Sequence, residues 1–335
     1  MGRSKATLKD IAEATGFSAN TVSLALRGSA RLPEKTRQLI LKEAERLNYS
    51  PNRIASSLAS SATRTIGLVM TDILNPTLTL AAHTIERELA TAGYAVMFAA
   101  SDANVDNEQR AIQRFRSYQV DGMLVYPADR TNIAHIQRVD DSGTPVLLLV
   151  NVPDSGLDIV TIDDEEGAYR AFRHLCHAGH RQFAMLDGGR ALGNLDKLNG
   201  ALRAVRELGL PDNALAVYEP KGHAPTLGYQ MMTDVMQAPD RPTAVFASTD
   251  SLAIGVLHWC REHGVSVPNE LAVVGYDNTE GAPYSVPPLS TVNYAADEIS
   301  RIGVERMLQR LGGSADWRGP QTRLIHPELA IRGTT

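Results

Sequence analysis

The chain has 335 residues, 43% hydrophobic and 21% charged, which suits two or three folded domains and excludes wholesale disorder. Two cysteines exclude a disulfide framework, no apolar run is long enough to span a membrane, and "MGRSKATLKDIAEATG" lacks the apolar core of a secretory signal, so a cytoplasmic protein is expected. The formal charge of −5 hides an asymmetry: residues 1–60 hold ten Lys/Arg against five Asp/Glu, the remainder 23 against 33. A basic head on an acidic body is what a polyanion-binding module gives, and also what a solvated helical face gives.

In chain order, Thr7 with Asp10 three residues on predicts a capped helix start, and Leu8, Ile11 and Ala12 share one helical face. Gly16 ends that helix, Phe17 plugs the corner, and Ser18 caps a second helix whose buried face is Val22, Ala25 and Leu26. Gly28 closes it, so "GFSANTVSLALRG" reads as the turn and second helix of a helix-turn-helix. The outward face carries Ala19, Asn20, Thr21, Ser23 and Leu24, side chains small enough for a helix to enter a DNA major groove. Asn20 can pair bidentately with adenine, and Thr21 can reach a phosphate or a thymine methyl. The competing reading is a generic helical hairpin.

A third helix is expected from Pro33, in its first turn, through the stripe Ile40, Ala44 and Leu47, stopped by Pro51. In "NRIASSLASSATR", residues 52–64, Ala55, Leu58 and Ala59 form a thin apolar stripe. This is either a flexible linker or a helix that forms only on a partner surface, because so short a helix buries too little to hold itself.

From Thr65 onward, nine short apolar runs alternate with helical stretches: "TIGLVM", "YAVMFAA", "GMLVYP", "PVLLLV", "DIVTI", "QFAMLD", "LAVYEP", "TAVFAS" and "LAVVGY". Continuous rather than alternating runs fit strands buried on both faces of parallel sheets, so the body is α/β and long enough for two halves. Ligands in such folds sit beyond the carboxyl ends of the strands, here in the cleft between the halves. Asp277 directly follows an apolar strand. Asp250 does too, with two readings: a cleft residue, or a cap for the helix from Ser251. "HLCHAGH" clusters His174, Cys176, His177 and His180, but no second ligand group accompanies it. "DGGRALG" matches no dinucleotide or phosphate-loop pattern, no nucleophile elbow is present, and no cofactor is expected. An enzyme is therefore poorly supported.

The ordered elements "TLKDIAEATGFSANTVSLALRG…KTRQLILKEAERLNYSPNRIASSLA" resemble the DNA-binding headpiece and hinge of the lac repressor family of bacterial transcription regulators, and the similarity continues along essentially the whole chain. The resemblance implies a repressor-type, non-enzymatic regulator that binds operator DNA as a homodimer. It implies a headpiece at 1–50, a hinge at 51–64, and a periplasmic-binding-protein-like effector domain at 65–335. One subdomain would span about 65–160 plus 293–320, the other about 161–292 plus 321–335. Ser18, Ala19, Asn20 and Thr21 would lie in the major groove; Thr7, Ser23, Arg27, Thr36, Tyr49 and Asn52 near phosphates; Ala55 and Leu58 in a minor-groove hinge helix, Leu58 as the wedge. Leu24 stands where the lac-type pattern has a guanine-reading arginine, so the operator sequence does not carry over.

For the effector, the resemblance implies contacts from Asn75, Thr77, Lys197, His223, Thr249, Asp250, Asp277 and Tyr294, with Val150 or Asn151 replacing a frequent aspartate. Lys197 stands where the family usually has arginine, keeping the charge without the fork. A carbohydrate-derived effector is expected, whether sugar, sugar acid or phosphosugar. Lys197 with His223 points toward an acidic one, unless Lys197 is solvated and His223 sits on a loop. A solute-binding protein would explain only the body, and a sugar-acting α/β enzyme would leave the headpiece without a purpose.

Overall fold

The computed structural model describes residues 6–26, 28–29, 31–50, 62–313 and 317–335, with the side chains of 190 and 191 left out. Arg27, Asn52, Ala55 and Leu58, and residues 51–61 of the hinge, lie outside the described residues. The chain divides into two compact units, Met1–Thr63 and Arg64–Thr335.

Among the described residues, the first unit holds three helices, α1 (Leu8–Thr15), α2 (Ala19–Leu26) and α3 (Glu34–Arg46). Thr7 and Asp10 form a reciprocal capping box at α1, and Gly16 ends it in the left-handed region at φ 73°, where a side chain would be strained. Ser18 accepts the Thr21 N–H (3.1 Å) at the start of α2. Ile11, Val22, Ala25, Ile40 and Ala44 form the core, with Leu8, Phe17, Leu26, Leu47 and Tyr49 packed around it. Pro33 takes the N-cap position of α3, one residue before the first turn expected for it.

The second unit is two α/β lobes. The first sheet contains β1 (Thr65–Met70), β2 (Ala95–Ala100), β3 (Gly122–Val125), β4 (Val146–Leu148), β5 (Asp158–Ile162) and β11 (Thr322–Ile325). The second contains β6 (Phe183–Leu186), β7 (Leu215–Tyr218), β8 (Ala244–Ala247), β9 (Ala272–Asp277), β10 (Ser290–Asn293) and β12 (Glu328–Ala330). Their orders are β11-β5-β4-β3-β1-β2 and β12-β10-β9-β8-β6-β7, parallel throughout except for the antiparallel β10–β12 pair. Each lobe thus repeats one doubly wound order, with a switch point between β1 and β3 in one and between β6 and β8 in the other.

Helices α4 (Pro76–Thr91) and α11 (Ala296–Leu311) cover one face of the first sheet; α5 (Val105–Ser117) and α6 (Ala134–Asp141) cover the other. On the second sheet, α7 (Asp164–His177) and α8 (Asp196–Glu207) lie opposite α9 (Pro225–Gln237) and α10 (Asp250–Glu262). Burial on both faces explains the unbroken apolar runs in the inner strands, while β2 and β7, at the sheet edges, are only partly buried. The chain crosses between lobes three times: after β5, after β10, and between β11 and β12. This moves one expected boundary. Residues 321–335 do not all belong to the second lobe, because β11 pairs with β5 on the edge of the first sheet before the chain crosses to β12.

Candidate functional site

In the headpiece, Ala19 and Asn20 are exposed on α2, and Thr21, Ser23, Leu24, Thr36 and Tyr49 are half-buried. The buried positions Val22 and Ala25 fix which face remains outside. Three side chains, Thr7, Ser18 and Thr21, are already engaged. Thr7 Oγ1 donates to Asp10 (2.9 Å), and Ser18 Oγ shares a hydrogen bond with Thr21 Oγ1 (2.9 Å), which orients the first turn of α2.

In the body, the carboxyl ends of both sheets face a cavity of about 130 Å³. Residues just past strand ends line it: Thr71 after β1, Tyr126 after β3, Val150 after β4, Asp187 after β6, Ser248 and Thr249 after β8, and Tyr294 after β10. Asp277, at the end of β9, completes the floor. Asn75 caps α4 by accepting the Thr77 N–H (2.9 Å), which places both at the rim. Lys197 and His223 also line the cavity. Seven of the expected effector contacts therefore converge: Asn75, Thr77, Lys197, His223, Thr249, Asp277 and Tyr294.

Two do not. Asp250 is fully buried and fully used: Thr279 donates to it through N–H (2.7 Å) and Oγ1 (2.9 Å), and Thr291 Oγ1 donates to its other oxygen (2.5 Å). Nor is it the helix cap, since Thr249 holds that position and accepts the Leu252 N–H (3.3 Å). Its work is to brace the β9–β10 corner. There Asp277 and Asn278 sit at φ 116° and 54°, and Asn278 is held by Thr291 and Arg332. Such backbone strain persists only where the surroundings over-determine it. Asn151 is displaced as well: Val150 takes the lining position, while Asn151 Nδ2 donates to Asp196 (3.2 Å).

The structure also adds residues that the strand pattern did not select: Tyr126, Arg130, Asp164, Asp187, Asn194 and Ser248. Asp187 and Ser248 follow apolar runs directly, the same signal that identified Asp277. Arg130 sits on the β3–α6 loop, which is held from behind by Glu108. That buried carboxylate accepts the Ala128 N–H (2.7 Å) and meets His135 Nε2 (2.6 Å).

Electrostatically, the cleft is nearly balanced. Lys197 Nζ donates to the Ser248 carbonyl (3.1 Å), lies over the Tyr276 ring (3.7 Å) and stands 4.0 Å from Asp164. Arg130 lies 3.7 Å from Asp164 and 3.5 Å from Asp196. Burial works against ionising Asp164, but Lys197, Arg130 and the hydrogen bond from Tyr276 (2.7 Å) outweigh it and hold its carboxyl below the ordinary range. Asp277 is less well compensated: desolvation pushes its carboxyl well up, and Lys197 and the Thr77 hydroxyl only partly restrain the shift. His223 is pushed down by desolvation and by Lys197, so its neutral form is favoured.

Among the described residues, three buried polar atoms in this wall have no hydrogen-bond partner: Asp187 Oδ2, His223 Nδ1 and Ser248 Oγ. Native proteins rarely leave such groups unsatisfied, so their convergence marks a place built for a polar guest. The histidine cluster of α7 does not converge. His174 bonds Thr335 (3.0 Å), His180 bonds Thr243 (2.9 Å), and among the described residues no group of three or more ligating side chains could hold a metal. Among the described residues, no helix is long and apolar enough to cross a membrane.

A helix-turn-helix unit joined to a two-lobed body with a polar cleft defines a ligand-responsive DNA-binding regulator. Known proteins bear this out. Residues 7–52 match the lacI family of bacterial regulatory proteins, and residues 172–335 match a periplasmic binding protein-like domain. Catabolite control protein A of Priestia megaterium is 31% identical over 301 residues, covering 89% of this chain and 90% of that one. The HTH-type transcriptional repressor PurR of Vibrio parahaemolyticus is 30% identical over 332 residues, covering 98% of each. A lac repressor dimer bound to operator and the anti-inducer ONPF superposes with a TM-score of 0.87 at 25% identity over 99% of both chains. The chain belongs to the lacI family of bacterial regulatory proteins, and it is a DNA-binding transcription regulator with an effector domain.

Proposed function

We propose that the protein is a homodimeric transcriptional repressor whose operator affinity is set by a neutral, polyhydroxylated effector, carbohydrate in class, bound between the two lobes. The observation that carries this is the set of three unpartnered buried polar atoms around a cavity of about 130 Å³. One is a hydroxyl, one a carboxylate oxygen and one an imidazole nitrogen. This mixture of donors and acceptors suits ligand hydroxyls, which do both.

Charge argues for neutrality. Arg130 and Lys197 already face Asp164, and Arg130 also faces Asp196, so neither cation awaits an anionic ligand. Asp187 would repel one. Asn75, Thr77, Lys197, His223, Thr249, Asp277 and Tyr294 are the proposed effector contacts, with Tyr126, Asp187 and Ser248 added. The named repressors among the relatives support repression as the outcome. The operator would be read by the exposed face of α2, chiefly through Asn20.

A thermal-shift screen tests the effector class, because a ligand that binds only the folded state raises the melting temperature by mass action. Neutral mono- and disaccharides should include at least one that raises it, and the matching sugar acids and phosphosugars should not. Stabilisation by the anionic members alone would overturn the reading.

A further inference from the structure

The β3–α6 loop of the first lobe does more than line the cleft. It reaches across and touches the β6–α8 loop of the second lobe at several points. The Arg130 N–H donates to the Leu192 carbonyl (2.9 Å). Arg130 Nη1 stands 3.5 Å from Asp196, and Asn151 of the first lobe donates to the same carboxylate. Arg130 Nη1 also donates to the Asn151 carbonyl (3.3 Å), so one carboxylate, one amide and one guanidinium close a ring between lobes. Backbone geometry supports the approach independently. Gly193 sits at φ +76°, and a Cβ there would come within 2.6 Å of Thr131 Cγ2, so both the turn and the clearance require glycine.

None of these contacts belongs to the three crossover segments that join the lobes covalently. Two of the residues involved, Arg130 and Leu192, lie on the cavity wall itself. Any opening of the cleft must break them.

We propose that Arg130, Asp196 and Asn151 form a clasp that sets the balance between closed and open lobes before any effector enters. The geometry suits a switch rather than a weld. The Arg130 contacts of 3.5 and 3.7 Å are longer than tight charge-assisted hydrogen bonds, about 2.7–2.9 Å. Asp196 sits mostly out of water, and the cost of desolvating such a pair offsets much of its attraction. A contact with small net stability leaves two states close in free energy, so a ligand with modest differential affinity can shift them. For effector control the clasp rests on the reading of the cleft proposed above, but its existence does not depend on which ligand binds there.

The test needs no effector. Nitroxides are placed on the full-length chain at Gln113→Cys, exposed on α5, and Asn213→Cys, exposed on the second lobe; the two native cysteines are buried. Labelled protein is diluted with unlabelled protein so that only distances within one protomer are read by pulsed dipolar spectroscopy. Asp196→Ala and Arg130→Ala should each add a population at longer distance, and the double variant should add no more than Arg130→Ala alone, since the partners act as one unit. Asn151→Ala, the milder change, should shift the distribution in the same direction and carries the test if either charge variant fails to fold. Superimposable distributions in the unsubstituted chain and in the folded variants would overturn the clasp, as would fully additive shifts. A failure of every sugar in the thermal screen would leave this result unaffected and would count against the effector class alone.

Discussion

Asp277 shows how a proposed effector contact can work against its own fold. Its backbone is held at φ 116°, and burial pushes its carboxyl well above the usual range. The native state therefore binds that proton more tightly than the unfolded chain, whose carboxyl titrates near about 3.9. Stability must fall as pH rises from that value toward the raised native one. Asp277→Asn, permanently neutral and tolerant of positive φ, should match the parent at low pH and gain on it through that window, ending with a higher melting temperature at neutral pH. Calorimetry across pH decides it; a parent equally or more stable at neutral pH would contradict the assignment. Asp277 was legible in the sequence because it follows an apolar run, whereas Thr249 was reached through the family resemblance. Asp187 and Ser248 carried the same signal. Asp250 carried it too, and misled, because only the fold reveals that Thr279 and Thr291 consume its oxygens. Arg130 and Asp164 had no local signal, since each matters through a charge more than thirty residues away.

The helix pair α7 and α8 explains how Asp164, Asp196 and Lys197 reach one place. The two helices touch backbone to backbone at Gly200, where a Cβ would fall 2.0 Å from the Glu165 carbonyl oxygen. Gly200→Ala must push them apart, costing about 1–3 kcal/mol of stability as overpacking does. It should also displace Lys197, three residues earlier on α8, and weaken effector binding. Gly281→Ala is the control: φ is −75° and nothing lies within 4 Å, so its melting temperature should stay close to the parent. Equal melting temperatures for the two variants would contradict the close approach. The reason for glycine at 200 is tertiary, and no local pattern in the sequence marks it. The nine apolar runs were legible as strands because they are continuous, as burial on both faces of the inner strands requires, and the edge strands β2 and β7 share the pattern although only partly buried. β11 was not, because three of its four residues are exposed at the edge of the sheet. β10 hides for a different reason: its buried residues include Ser290 and Thr291, which polarity-based reading leaves out.

At the scale of the whole molecule, a basic DNA-reading unit and an acidic ligand-binding unit share one chain, and regulation requires that the state of one change the affinity of the other. The segment 51–64, with Leu58 as its proposed wedge, is the covalent route between them. The central claim is that occupancy of the cleft alters operator affinity. Its most direct measurement is operator binding by full-length protein, using a duplex selected from random sequences and one fixed salt concentration, since phosphate contacts make affinity fall steeply with salt. Titrations are run with and without the sugar that raises the melting temperature, on the parent chain and on Asp277→Asn. The account predicts that the sugar changes the parent's operator Kd by about tenfold or more, a coupling of about 1.4 kcal/mol, and leaves that of Asp277→Asn unchanged. A parent chain that binds the sugar and holds its operator with the same Kd in both titrations would contradict it.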